Sequence, residues 1–260
     1  MARKTKIQWT EATWNPIVGC TKCSPGCENC YAERMAYRLA CMGIPYYDEV
    51  NDGNWTNDVI TLPASLDKPL HWRKPRKVFV CSMSDLFHPK VPFEFIDKVM
   101  GAILQAPQHT YQALTKRPQR MLEWAKHYEQ IYNDFYHSRF TFTQFQKRIW
   151  LGVTVCTQKE ADEKIPILLQ IPAEVRFVSL EPMLESICLD KLFNTDVGFP
   201  DWIIVGAESG HKRRICEIHW VRYMLAQCRL WEIPIFVKQI HRDGKLVKMP
   251  HSWPQEYPKE

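Results

Sequence analysis

The chain has 260 residues, 45% of them hydrophobic and 24% charged, with a formal net charge of +5. Those proportions exclude a low-complexity or disordered chain, and the length suits one sizeable domain spanning 1–260. No apolar run approaches the ~20 residues of a membrane span, MARKTKIQWTEATW lacks the apolar core of a secretion signal, and the charge is too mild for a dedicated DNA-binding tail.

Along the chain, short β-branched and apolar runs alternate with longer amphipathic ones, the pattern of βα units. Strands are predicted at 6–9, 78–82, 110–114, 150–155, 176–180, 202–206 and 235–238. The first helix is predicted at 31–41, where Ala32, Met35, Ala36, Leu39 and Ala40 recur at helical spacing and Gly43 supplies a stop. Further helices are predicted at 93–105, 118–128, 158–170 and 218–231. Strands joined by helical crossovers form a parallel sheet. This number of units suits a partial, open (β/α)6-type TIM-like barrel better than a complete eightfold one.

Two insertions interrupt the alternation. Residues 44–72 are rich in Pro, Tyr, Asp and Asn and read as a long loop near the cysteines described next. Residues 129–148 carry Tyr132, Phe135, Tyr136, Phe140, Phe142 and Phe145, an expected satellite core whose alternative is a stacking surface for a flat substrate.

Four of the ten cysteines, Cys20, Cys23, Cys27 and Cys30, fall in one loop-like stretch, GCTKCSPGCENCY. They contain both C-x3-C-x2-C (Cys23, Cys27, Cys30) and C-x6-C-x2-C (Cys20, Cys27, Cys30). Three thiolates followed at once by Tyr31 suit a [4Fe–4S] cluster whose fourth iron stays open to chelate S-adenosylmethionine. A four-cysteine zinc site normally separates its two knuckles by a dozen residues or more, against three here. A closed electron-transfer cluster is closer in spacing, though no second cysteine run follows. Disulfides are disfavoured, because the remaining cysteines are scattered singly; ten cysteines without a secretion signal fit a reducing cytoplasm.

Ligands of parallel sheets bind at the carboxyl ends of strands, and polar residues gather there. Asp85 follows the second predicted strand; Thr115, Lys116 and Arg117 the third; Glu181 the fifth; Glu208 and Ser209 the sixth; Lys238 and Gln239 the last. Each has a structural alternative as a helix cap, a solvated charge or an ion pair. Five strands ending alike point to a ligand. The glycines of Gly206-Ala207-Glu208-Ser209-Gly210 would let backbone approach that ligand.

Asn15-Pro16-Ile17-Val18-Gly19-Cys20, with Cys27, Cys30 and Tyr31, resembles the N-P-x-x-G-C opening of radical S-adenosylmethionine proteins of the spore photoproduct lyase type. More closely, the chain resembles a phage and bacterial family of radical-SAM-like proteins, found in prophages and sometimes encoded beside a three-Cys-motif partner protein. The matching segments, among them SPGCENCYAERM, LTKRP, SLEPML and IIVGAESG, run in order over nearly the whole chain. The resemblance implies Cys20, Cys27 and Cys30 as ligands, with Cys23 the alternative; a [4Fe–4S] cluster and S-adenosylmethionine as cofactors; and an electron donor such as flavodoxin. Ser84-Asp85 stands where many radical enzymes have Gly-Gly-Glu, so Asp85 is expected to receive the methionine amino group. Tyr31, Thr115, Lys116 and Glu208 complete the expected cofactor residues, and Glu181, Glu208 and Lys238 are the candidates for chemistry. The expected substrate is a nucleic-acid base or nucleotide, with Lys116, Arg117, Lys212, Arg213 and Arg214 forming a cationic rim. Two rival readings stand beside it: a non-catalytic iron–sulfur or zinc module, and radical modification of a partner protein.

Overall fold

The computed structural model describes residues 5–135, 148–190, 198–210, 212–248 and 251–258. One 8-stranded sheet organises them, in the order β1 (Ala12–Trp14), β4 (Lys77–Val80), β5 (Thr110–Thr115), β6 (Ile149–Thr154), β7 (Val175–Leu180), β8 (Trp202–Gly206), β9 (Ile235–Arg242) and β10 (Lys245–Lys248). From β1 to β9 every pairing is parallel, and β10 returns antiparallel on β9. Chain order and sheet order coincide, so every crossover steps to the next position in one direction.

The crossover helices that follow β4, β5, β6 and β8 lie on a single face. Helices α3 (Phe93–Gln105), α4 (Pro118–Phe135), α5 (Gln158–Leu169) and α6 (Ile218–Leu230) bury their apolar stripes in one cluster with Val78, Val80, Ala113, Leu151, Val153, Val178 and Val205 of the sheet. Local sequence fixes these helices: Phe95, Ile96, Val99, Met100 and Ile103 give α3 its buried stripe, Pro118 is preorganised at the first position of α4, and the Thr157 side chain accepts from Glu160 N–H to start α5.

Side chains of opposite parity form a second cluster on the other face. Trp150, Phe177, Trp202, Ile204 and Phe236 gather with Phe79 and Leu114 around Trp9. At ~4.8 Å per strand, β4 and β8 would sit about 19 Å apart in a flat sheet. The Trp9 ring nevertheless lies 4.8 Å from Phe79 on β4 and 6.3 Å from Trp202 on β8, so the sheet curls around it. Burying each of these large rings contributes roughly 1.5–3 kcal/mol.

Three expectations need correction. The segment 6–9 is not a strand; it crosses the concave face, with Ile7 and Trp9 packed in the aromatic cluster and Gln8 O accepting from Tyr257 Oη at 3.3 Å. The first strand is Ala12–Trp14. The hairpin strand β10 was not expected at all. The first insertion holds more structure than a loop: α2 (Tyr47–Val50) and β3 (Ile60–Thr61), the latter antiparallel to β2 (Ile17–Val18). Residues 136–147, the body of the second insertion with Tyr136, Phe140, Phe142 and Phe145, lie outside the described residues. Among the described residues no helix is long and apolar enough to cross a membrane.

Candidate functional site

The cysteine loop leaves the carboxyl end of β1 through β2 and enters α1 (Tyr31–Cys41), with Cys30 at the position before its first turn. Gly19 sets its course. With φ at +90°, its backbone passes so close to the first insertion that a Cβ would lie 2.2 Å from Asp58 O. Ser24 accepts from Gly26 N–H at 3.2 Å and starts the short turn Pro25–Cys27. The insertion covers the loop from outside: Val50 and Trp55 pack with Val18, Ala36 and Met83, and buried Glu33 accepts from Trp55 N–H and pairs with Lys22 at 2.8 Å.

Two arginines brace the loop from opposite sides. At the Cys20 end, Arg117 donates to Thr21 O (2.9 Å) and Thr21 Oγ1 (2.8 Å), and its Nη1 lies 3.9 Å from Cys20 Sγ. At the other end, Arg214 donates to Pro25 O (3.0 Å) and pairs with Glu28 (2.8 Å). Each guanidinium is held by a buried carboxylate. Asp85, 5% exposed, pairs with Arg117 at 2.8 Å, and Glu208, 4% exposed, binds Arg214 through both oxygens. Asn29 ties Glu208 to the loop directly, donating to Oε2 at 3.0 Å. Burial would raise the Glu208 carboxyl, but hydrogen bonds from Arg214 and Asn29 outweigh it and hold the group below the usual carboxylate range.

These contacts tie both carboxylates to donors of the protein itself. Asp85 Oδ1 accepts from Phe87 N–H (3.0 Å) and Thr115 Oγ1 (2.7 Å), and Oδ2 from Lys116 N–H (3.2 Å) and Arg117 (2.8 Å). A carboxylate offers about four acceptor sites, and donors of the protein occupy all four, while Asp85 and Thr115 also line the cavity of the cysteines. Thr115 is spent on the same network, with its Oγ1 also accepting from Arg117 N–H at 2.9 Å. The loop glycines make room for side chains of the protein: a Cβ on Gly206 would meet the Glu181 side chain at 3.1 Å, and one on Gly210 the Arg34 guanidinium at 2.1 Å. The five-cation rim is dispersed. Arg117 and Arg214 turn inward to carboxylates, Lys116 faces the thiols, and Arg213 lines a different cleft.

Cys20, Cys27 and Cys30 line one cavity of about 140 Å³, together with Lys116, Arg117 and Ser82. Cys23 is exposed and does not line it; the neighbouring Cys23 thiol lowers the Cys27 pKa against the opposing effect of burial. Burial pushes the Cys20 thiol up to about 12. A residue the sequence reading missed, Cys81, lines the same cavity. It is buried just past β4, its pKa pushed up to about 12, and its backbone is left-handed with φ 62°. Nothing marked it in the sequence beyond a cysteine at a strand end.

Among the described residues no three His, Cys, Asp or Glu side chains converge on a point that would hold a single metal ion. The cysteines surround a space instead. That space adjoins a second cavity of about 380 Å³ on the concave face, and Cys30, Phe79, Ser82, Lys116 and Thr154 line both. Tyr31, Glu181, Glu208 and Lys238 line the larger one. Glu181 there pairs with Lys238. Burial disfavours a charge on Lys116, but the thiols of Cys27, Cys156 and Cys30 outweigh it and raise its pKa, so the ammonium persists at the junction of the two cavities. Deeper in the larger cavity, Trp9 Nε1 and Gln8 Oε1 have no hydrogen-bonding partner among the described residues.

A family model described as "Protein of unknown function (DUF5131)" matches residues 4–251. No curated protein matches the chain, and no solved structure does.

Proposed function

The chain belongs to that family, and we propose that it is a radical S-adenosylmethionine enzyme acting on a nucleic-acid base or nucleotide. One observation carries the reading: Cys20, Cys27 and Cys30 line a cavity that adjoins a larger, mostly apolar one with polar residues at the carboxyl ends of parallel strands, while Cys23 stands outside. The residues fit a [4Fe–4S] cluster. The cavity exceeds the ~30 Å³ of a single water several-fold, the donors are thiols, and three of them leave one iron uncommitted. The singly wound, curled sheet with four of its crossover helices packed on one face supports a partial (β/α) barrel as the frame.

When bound, the cluster and S-adenosylmethionine supply a one-electron cleavage that yields a 5′-deoxyadenosyl radical for hydrogen abstraction. The protein's own residues orient and enclose. Lys116 lines both cavities, is not tied to a carboxylate among the described residues as Arg117 is, and suits the methionine carboxylate. Asp85 and Glu208 act one step removed, by fixing the arginines that fix the loop. The Glu181–Lys238 pair borders the substrate space and can hold or pass a proton, and Gln239 donates a hydrogen bond to Glu181. The curled aromatic face behind them excludes water and suits a flat heterocycle, with the Trp9 N–H and Gln8 carbonyl as donor and acceptor.

A second reading rests on Cys81. Were it a fourth ligand, the cluster would be closed and the protein a non-catalytic iron–sulfur module. Anaerobic reconstitution with iron and sulfide, followed by reduction with dithionite in the presence of S-adenosylmethionine, separates the two. The proposal expects 5′-deoxyadenosine; a fully loaded cluster that yields none, and is lost in Cys81→Ala, establishes the closed module.

A further inference from the structure

A cleft of about 790 Å³ opens beside the β9–β10 hairpin, and none of the four loop cysteines lines it. Arginines from three separate elements line it: Arg213 from the loop after β8, Arg222 from α6 and Arg242 from β9. Arg213 donates one bond to Gly210 O at 3.1 Å; Arg222 and Arg242 have no carboxylate partner within ion-pair distance among the described residues. Glu217 and Asp243 also line the cleft and leave the arginines in excess.

The cleft has built features besides charge. Helix α6 starts there with Glu217 at its N-cap and no side-chain capping hydrogen bond, which leaves the N–H groups of its first turn without a side-chain acceptor. His241, nine-tenths buried, accepts from Cys216 N–H on Nδ1 at 3.0 Å, which makes Nε2 the N–H donor. That Nε2 has no partner among the described residues, and a buried donor in that state costs about 1–3 kcal/mol until an acceptor arrives. Burial, then the nearby Arg213, lowers the His241 pKa and keeps the ring neutral. Ile215, 66% exposed, and Trp253 supply an apolar wall. Planar guanidinium forks match phosphate oxygens two at a time, and an aromatic wall beside them suits the faces of unpaired bases.

We propose that this cleft binds the sugar–phosphate backbone of a nucleic-acid strand. The inference rests on the nucleic-acid part of the reading above and gives that substrate a holding site outside the reaction cavity. Arg213 adjoins Arg214, whose contacts with Pro25, Glu28 and Glu208 brace the cysteine loop, so one loop separates the held strand from the candidate reaction site.

The test is fluorescence anisotropy of a labelled 20-nucleotide single-stranded DNA or RNA against the full chain, across a salt series and with the cluster loaded or absent. Binding is expected in both preparations. The double variant Arg222→Ala/Arg242→Ala should weaken it at least tenfold at low salt. It should also flatten the dependence of log affinity on log salt by about 1.4, at ~0.7 per phosphate contact on a single strand. Lys98→Ala/Lys126→Ala, which removes the same charge from the exposed sides of α3 and α4, should leave the slope unchanged. Equal losses in the two double variants, no binding by the wild type at low salt, or equally tight binding of polyglutamate would each overturn the proposal. Since strand binding is read without S-adenosylmethionine, absence of 5′-deoxyadenosine sinks the radical reading and leaves the cleft standing.

Discussion

Removing the Asp85 carboxylate distinguishes a brace from a cofactor ligand. In Asp85→Ala, the Arg117 side chain, 11% exposed, keeps its charge and loses its partner. Phe87 N–H, Lys116 N–H and Thr115 Oγ1 lose their acceptor at the same time. Breaking one side of a buried ion pair costs about 3–5 kcal/mol, a large part of the 5–15 kcal/mol that holds a typical domain. At roughly 2–4 °C per kcal/mol for a chain of this size, the melting temperature should fall by about 6–20 °C. Asp85→Asn is not a rescue, because one of its two terminal groups becomes an NH2 facing donors. Arg117→Met should cost less, and Asp85→Ala added to it should cost little more, giving a coupling of about 1–3 kcal/mol in the double-mutant cycle. Thermal and urea unfolding of iron-free protein, with no cofactor present, measure all four. A fully stable Asp85→Ala protein whose only defect is weak S-adenosylmethionine binding would refute the brace and restore the carboxylate to the cofactor.

Alanine at Cys20, Cys27 or Cys30 should abolish iron incorporation on anaerobic reconstitution, while Cys23→Ala and Cys81→Ala keep it; iron and sulfide counts decide, and loss in Cys23→Ala with retention in Cys20→Ala would select the other spacing. Gly152→Ala should destabilise the protein by about 1–3 kcal/mol in urea unfolding, because its Cβ would lie 2.5 Å from the Phe177 ring, and Phe177→Leu should recover part of the loss. Burial, then the charge of Arg117, lowers the His88 pKa from 6.5 to about 4. The unfolded chain therefore takes up a proton before the folded one does, so His88 contributes stability that is complete above pH 6.5 and declines by at most about 3 kcal/mol as pH falls to 4. Unfolding curves across that range should show a shallower decline in His88→Gln.

The strand and helix order was legible because buried parallel strands are nearly continuous apolar runs, as Ile149–Thr154 is, and because amphipathic helices repeat with their own period. Residues 6–9 misled because Ile7 and Trp9 alternate as a strand would, and only packing reveals that they fill the concave face. The hairpin strand Lys245–Lys248 was too short for its alternation to register, although Asp243-Gly244 is a turn signal of the kind that precedes one. At the site, the cysteine loop and the strand-end polar residues were legible from spacing. The partners of Asp85 and Glu208 were not, since composition cannot tell a carboxylate awaiting a ligand from one already filled by Arg117 or Arg214. Cys81 was invisible for a related reason: its proximity to Cys20 arises from the pairing of β1 with β4, across a gap of some sixty residues.

The two guanidinium braces have a further consequence for the life of the protein. Many small metal-binding domains are unfolded until their ion arrives, so that losing the ion means losing the fold. Here the loop's course is already dictated by Arg117 on one flank, Arg214 on the other and Gly19 behind, none of which requires iron. If the proposed cluster is bound, a chain that loses it to oxygen would keep an intact socket, ready for repair rather than resynthesis.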